Sequence, residues 1–165
     1  MRSAMTGRTL PDPAIRALTA AERALAASVF GTAIALDRVT VRRRKYWWFH
    51  PRRVTMAPDG HIWCHPQGQN WCPDYAAETL PMQAHFIHEM VHVWQVQQGR
   101  NLILTRPPFA RYRYDLVPGK AFGRYGVEQQ ACIVADAFLL RAGRALPGKP
   151  GLAAYAAVLP FGVWG

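Results

Sequence analysis

The stretch Phe86-Ile87-His88-Glu89-Met90-Val91-His92-Val93-Trp94-Gln95 sets the terms for the whole chain, because it carries H-E-x-x-H spacing inside an otherwise apolar run. The run reads as a helix. Thr79 is its candidate N-cap, Pro81 falls in the first turn where a missing N–H is harmless, and Gly99 stops the pattern after Gln98. On such a helix His88 and His92 lie about 40° apart in projection and one turn apart in height. Phe86, Ile87, Met90, Val91, Val93 and Trp94 occupy the rest of the surface. A polar strip on a helix that is otherwise buried needs partners.

Two imidazoles so placed can share one Zn²⁺, and Glu89 beside them is placed to hold and deprotonate water rather than to ligate. The competing explanation is a pair of histidines hydrogen-bonded inside a core, with Glu89 as a partner. A catalytic zinc needs a third protein ligand and an open position. Glu128 is the best donor. It begins a helix predicted from Val127 to about Arg141 and ended by Gly143, and its face carries Ala131, Cys132 and Ala135. Small residues there let the two helices approach closely. A first-turn acid complementing the helix dipole is the ordinary alternative for Glu128. His65 and Asp115 are rival ligands, and His85, one turn before His88, is an outer-sphere or substrate-binding candidate. Asp136 is either an acceptor for a ligand histidine or a capped or solvated acid. Gln95 extends the strip by a turn and is expected to line a cleft.

The chain as a whole, 165 residues and 50% hydrophobic, suffices for one sizeable core. A single domain spanning 1–165 is expected, with 1–18 a flexible N-terminal segment and 146–165 a tail packed on the core. Thr19-Ala20-Ala21-Glu22 is a capping-box pattern opening a helix from about Ala20 to Phe30, closed by Gly31, with Leu18, Leu25 and Val29 facing the core. Ile34 to Val41 alternates as a strand would. Val54-Thr55-Met56, Ala57-Pro58-Asp59-Gly60 and His61-Ile62-Trp63-Cys64 read as a β-hairpin about an Asp-Gly turn. Leu102-Ile103-Leu104 and Tyr112 to Leu116 read as short extended pieces separated by Pro107-Pro108, and Leu152 to Leu159 as a last short helix.

Cys64, Cys72 and Cys132 are too few for a disulfide scaffold. Cys64 and Cys72 share a loop and could bridge in an oxidising compartment; with His65 they form a weak second metal candidate. No conventional signal peptide and no run approaching a membrane span of about 20 apolar residues is visible. The expectation is a cytoplasmic protein, or one exported by a route without such a signal. The net charge of +10 suits an anionic partner. Arg42-Arg43-Arg44-Lys45 followed by Tyr46-Trp47-Trp48-Phe49, with Arg52 and Arg53, could bind a polyanion, nucleic acid included, although a solvated strand end with core aromatics is the more usual arrangement.

With His88-Glu89-Met90-Val91-His92 and the later Glu128-Gln129-Gln130-Ala131, the chain resembles a small zincin of the glutamate-ligand, or gluzincin, type. That resemblance implies an α+β, minimal zincin-like domain in which a small antiparallel or mixed sheet packs on the two site helices. It implies His88, His92 and Glu128 as zinc ligands and Glu89 as general base. Classical gluzincins place an acid four residues after the ligand glutamate, where this chain has Cys132, so the support of His88 or His92 must be built differently. No motif locates the oxyanion-stabilising group, which leaves Tyr112, Tyr114 and Tyr125 as candidates. Together with Phe30-Gly31 and the hairpin before the histidine helix, these features also resemble small metallopeptidase-like bacterial proteins related to Vgr and Rhs and linked to type VI secretion.

The expected activity is zinc-dependent hydrolysis of a peptide or peptide-like amide in a peptide, protein or cell-wall peptide substrate. The alternative is a non-catalytic module of the same fold that binds an acidic partner or nucleic acid through its basic-aromatic surface.

Overall fold

Residues 14–105 and 111–164 are described in a computed structural model of the chain. Two helices form its centre. α2 (Leu80–Gln97) and α4 (Val127–Arg141) pack against each other more extensively than any other pair of elements. Both are largely buried, and Phe86, Ile87, Met90, Val91 and Val93 of α2 are sealed from solvent together with Ala131, Ile133, Val134 and Ala137 of α4. Ala131 and Ala137 keep the contact close, and each large apolar side chain so enclosed contributes roughly 1.5–3 kcal/mol.

α1 (Ala20–Phe30) has the boundaries expected from its capping box. Thr19 Oγ1 accepts from Glu22 N at 3.0 Å and Glu22 Oε2 accepts from Thr19 N at 2.9 Å. Gly31 closes it at φ 57°, a conformation that β-carbons disfavour. The Glu22 carboxylate is fully buried and also accepts from both terminal nitrogens of Arg16 at 2.7 Å and from Tyr75 N at 2.9 Å. It ties α1 to the strand before it and to the loop ahead of α2.

The sheet is four-stranded and mixed, in the order β1-β2-β4-β3, so the fold is α+β. β1 (Ile15–Ala17) runs antiparallel to β2 (Thr40–Arg42), β2 parallel to β4 (Ile62–Cys64), and β4 antiparallel to β3 (Thr55–Met56). The hairpin is where the Asp-Gly turn puts it: Gly60 sits at φ 85°, and Asp59 Oδ1 accepts from His61 N and Trp63 Nε1. β3 is an edge strand.

Three local expectations are corrected. The flexible segment expected over 1–18 lies outside the described residues up to 13, and its described end, Ile15–Ala17, is a strand of the sheet. The strand expected from Ile34 to Val41 shrinks to Thr40–Arg42. Ahead of it Leu36 O accepts from Val39 N in a turn, and the Ala35 N–H and carbonyl pair with the Gln97 side chain at 2.8 and 2.7 Å instead of with a neighbouring strand. Leu102–Thr105 is a helical turn, α3, rather than extended, because Asn101 Oδ1 caps it by accepting from Ile103 N and Leu104 N. The Pro107-Pro108 break lies outside the described residues.

α5 (Leu152–Ala156) and the residues after it cover the far side of the core. Phe161 packs edge-on against Phe30 at 4.9 Å and Trp94 at 5.2 Å, and Trp164 Nε1 donates to Val29 O.

Candidate metal centre

The close approach of α2 and α4 brings His88, His92 and Glu128 together. One donor atom from each lies within 4.8 Å of the others. His88 Nε2 and His92 Nε2 both stand 3.2 Å from Glu128 Oε2. In a zinc tetrahedron with arms of about 2.0–2.1 Å, two donors are separated by about 3.3 Å, so the observed spacing suits that ion. His92 and Glu128 are buried, and His88 is reached from a cleft of about 540 Å³.

The buried amides dictate the His92 tautomer. Tyr125 O can only accept, so Gln130 turns its Nε2 toward it at 2.7 Å and its Oε1 toward Gln95. Gln95 therefore donates through Nε2 to Gln130 Oε1 and Val127 O, both at 3.0 Å. Its Oε1 is left to accept from His92 Nδ1 at 2.9 Å. His92 thus carries its proton on Nδ1 and turns the Nε2 lone pair to a carboxylate oxygen. Two electron-rich atoms at that distance require a cation between them, either a proton or a metal. Burial alone would lower the His92 imidazolium, but the bond to Glu128, the charge of Glu89 and the bond to Gln95 outweigh it and raise its pKa.

Gln95 is thus fully buried behind His92 and does not line the cleft as expected. Its role depends on Gln130, which no pattern in the sequence marks. His88 is supported from Cys132, whose Sγ lies 4.0 Å from His88 Nδ1. Burial pushes that thiol up to about 12, so it remains neutral beside the ring.

Glu89 is buried and lines the cleft beside the three donors. Its Oε2 has no hydrogen-bond partner among the described residues. An unsatisfied buried carboxylate oxygen is unfavourable unless something in the cleft meets it. His85 also lines the cleft and bonds through Nε2 to Thr55 Oγ1 at 2.9 Å, linking α2 to the edge strand. Burial lowers its pKa.

The other candidates lie elsewhere. His65 turns its Nδ1 to Gln67 N and packs against His50, away from the three donors. Asp115 is exposed and lines a separate depression with Arg113, Tyr114 and Lys149. Asp136 does not support a ligand histidine: it accepts from Tyr114 Oη and pairs with Lys149 at 3.6 Å. Cys64 and Cys72 are free thiols, and with His65 they form no metal-binding group among the described residues. Tyr114 Oη is committed to Asp136 and Tyr155, and Tyr125 Oη accepts from Val117 N, which leaves Tyr112 as the one of the three tyrosines that lines the cleft.

The cleft's walls are as distinctive as its floor. Thr55 and Met56 of the β3 edge, with Ala57 just after it, form one side, and Leu102, Ile103 and Tyr112 contribute elsewhere. Trp47 and Arg53 reach in from the aromatic-basic segment, an involvement the sequence did not suggest. Among the described residues no helix is long and apolar enough to cross a membrane.

No protein-family model matches the chain. The type VI secretion system spike protein VgrG2b of Pseudomonas aeruginosa is 40% identical over 144 residues, a match covering 81% of this chain and 14% of that protein. The chain therefore corresponds to a small part of that relative. The solved structure of the effector domain of Pseudomonas aeruginosa VgrG2b is similar at a TM-score of 0.73 and 36% identity, covering 89% of this chain and 83% of that one. By sequence and by structure, the chain belongs to the family of the VgrG2b effector domain.

Proposed function

We propose that the chain is a zinc-dependent hydrolase of peptide or peptide-like amide bonds that acts as an effector associated with type VI secretion. One observation carries the chemistry: two histidine nitrogens converge at 3.2 Å on one buried Glu128 oxygen, beside a Glu89 oxygen that lacks a partner. The secretion role rests on kinship with the VgrG2b effector domain.

Held by His88, His92 and Glu128, a zinc would supply a Lewis acid to acidify water and polarise the substrate carbonyl. Glu89 does the proton work. Its Oε2 takes a proton from the attacking water and returns it to the leaving nitrogen as the C–N bond breaks. Gln95 keeps His92 from rotating, and the β3 edge offers backbone groups to an extended peptide lying in the cleft. The net charge of +10 favours acidic proteins or anionic cell-wall peptides as substrates.

Glu89→Gln tests this reading. The variant should keep its fold and its zinc while hydrolysis of a peptide and muropeptide panel falls by about 10²–10⁴. Undiminished hydrolysis would refute the role of Glu89. Biological activity surviving the substitution would favour the non-catalytic interaction module instead.

A further inference from the structure

Between Arg42 and Arg53 the chain carries Arg42, Arg43, Arg44, Lys45, Arg52 and Arg53 and no acidic residue, arranged around Tyr46-Trp47-Trp48-Phe49. This segment connects β2 to the β3 edge. Its aromatics do not fill the core. Trp48 is 86% exposed and Phe49 57%.

The rings are nonetheless braced. Trp47 stacks on Phe49 with centroids 5.7 Å apart, Trp48 meets Phe49 edge-on at 5.3 Å, and Tyr46 packs edge-on against Trp47 at 4.6 Å and Trp63 at 5.2 Å. A clustered apolar projection kept in water forgoes the burial that stabilises the core, and such patches mark interaction surfaces.

We infer that this aromatic tip docks the protein on a lipid bilayer bearing anionic headgroups. Tryptophan and other amphipathic rings favour the headgroup level of a bilayer, and flanking Lys and Arg side chains meet its phosphates. Five of the six cations, all but Arg42, are exposed, and each brought near an anionic surface raises partitioning about fivefold.

Two features favour a bilayer over nucleic acid. A run of bases needs successive open ring faces on which to stack, whereas Trp47 and Phe49 already cover one another and Trp48 alone stands out as an exposed tryptophan. The Arg42 and Arg43 Cζ atoms lie over the rings of Trp63 and Trp71, 4.6 and 4.9 Å from their centroids, so these two cations are not arrayed along a groove. Trp47 and Arg53 line the cleft as well, so docking brings the cleft mouth to the lipid surface.

The test is flotation of the full chain with vesicles of phosphatidylcholine alone and of phosphatidylcholine mixed with phosphatidylglycerol, with a chelator present so that the result is independent of the zinc reading. The wild type should float with the anionic vesicles, weaken with added salt and shift its tryptophan emission to the blue. Trp48→Ser with Phe49→Ser should weaken binding about tenfold or more at unchanged circular dichroism, and Arg52→Gln with Arg53→Gln about fivefold per charge. A wild type that stays unbound, or that floats equally with uncharged vesicles, would overturn the inference. So would a Trp48/Phe49 variant that binds as well as wild type. An oligonucleotide that displaces the vesicles in a Trp48-dependent manner would reassign the tip to nucleic acid.

Discussion

Gln95 Oε1 accepts the Nδ1 proton of His92 at 2.9 Å, and this single bond orients the opposite nitrogen of the ring toward Glu128. The helix that carries the histidines supplies this support itself, one turn further on, whereas Cys132 of α4 faces the other ring, its Sγ 4.0 Å from His88 Nδ1.

Removing Gln95 should therefore loosen the metal. Gln95→Ala is expected to weaken zinc binding about 10–100-fold in competition titrations with a chromogenic chelator. It should also lower stability by about 1–3 kcal/mol, because Gln130 Oε1 and Val127 O lose a buried donor. Unchanged zinc affinity would mean that Gln95 serves packing alone.

The raised His92 pKa gives a pH dependence of definite sign. In metal-free protein a raised folded pKa contributes stability that is fully present below the unfolded value of about 6.5 and disappears as pH rises through the folded value. His85, whose pKa burial lowers, acts in the opposite sense. The Tm difference between metal-free wild type and His92→Gln isolates the first effect and should shrink as pH rises above about 6.5. Zinc must displace the same proton, so its affinity should fall on acidification, beginning above about 6.5. A zinc affinity flat across that interval would contradict the His92 assignment.

Glu22 tests the scaffold without touching the centre. Its buried carboxylate accepts from Arg16, Thr19 and Tyr75, so Glu22→Ala leaves the Arg16 guanidinium poorly paired and removes one half of the α1 capping box, the bond from Thr19 N. Urea denaturation should show a loss of about 3–5 kcal/mol. A loss below about 1 kcal/mol, the scale of an ordinary cap, would show that the buried pair adds nothing.

The parts of the fold legible in the sequence are those specified by neighbouring residues. Thr19 and Glu22 bound α1, Gly99 and Gly143 stop the long helices, and Asp59-Gly60 turns the hairpin. The approach of Glu128 to His88 and His92 was legible because Ala131 and Ala135 left its helix face small; its role as a ligand is the proposal made above. What the sequence did not yield depends on partners far away in the chain. The backbone at Ala35 is satisfied by Gln97 rather than by a strand, and Asp136 is claimed by Tyr114 and Lys149 from loops without a pattern. The role of Gln95 passes through Gln130, 35 residues away, and no local signal encodes that pairing.

The proposed zinc would be held by His88, His92 and Glu128 between α2 and α4. Elemental analysis of purified, zinc-supplemented wild type beside Glu128→Ala, with folding checked by circular dichroism, should give about one zinc per wild-type chain and a marked loss in the folded variant. Undiminished zinc in Glu128→Ala would remove Glu128 from the ligand set, and a wild type that takes up no zinc would overturn the metal centre altogether.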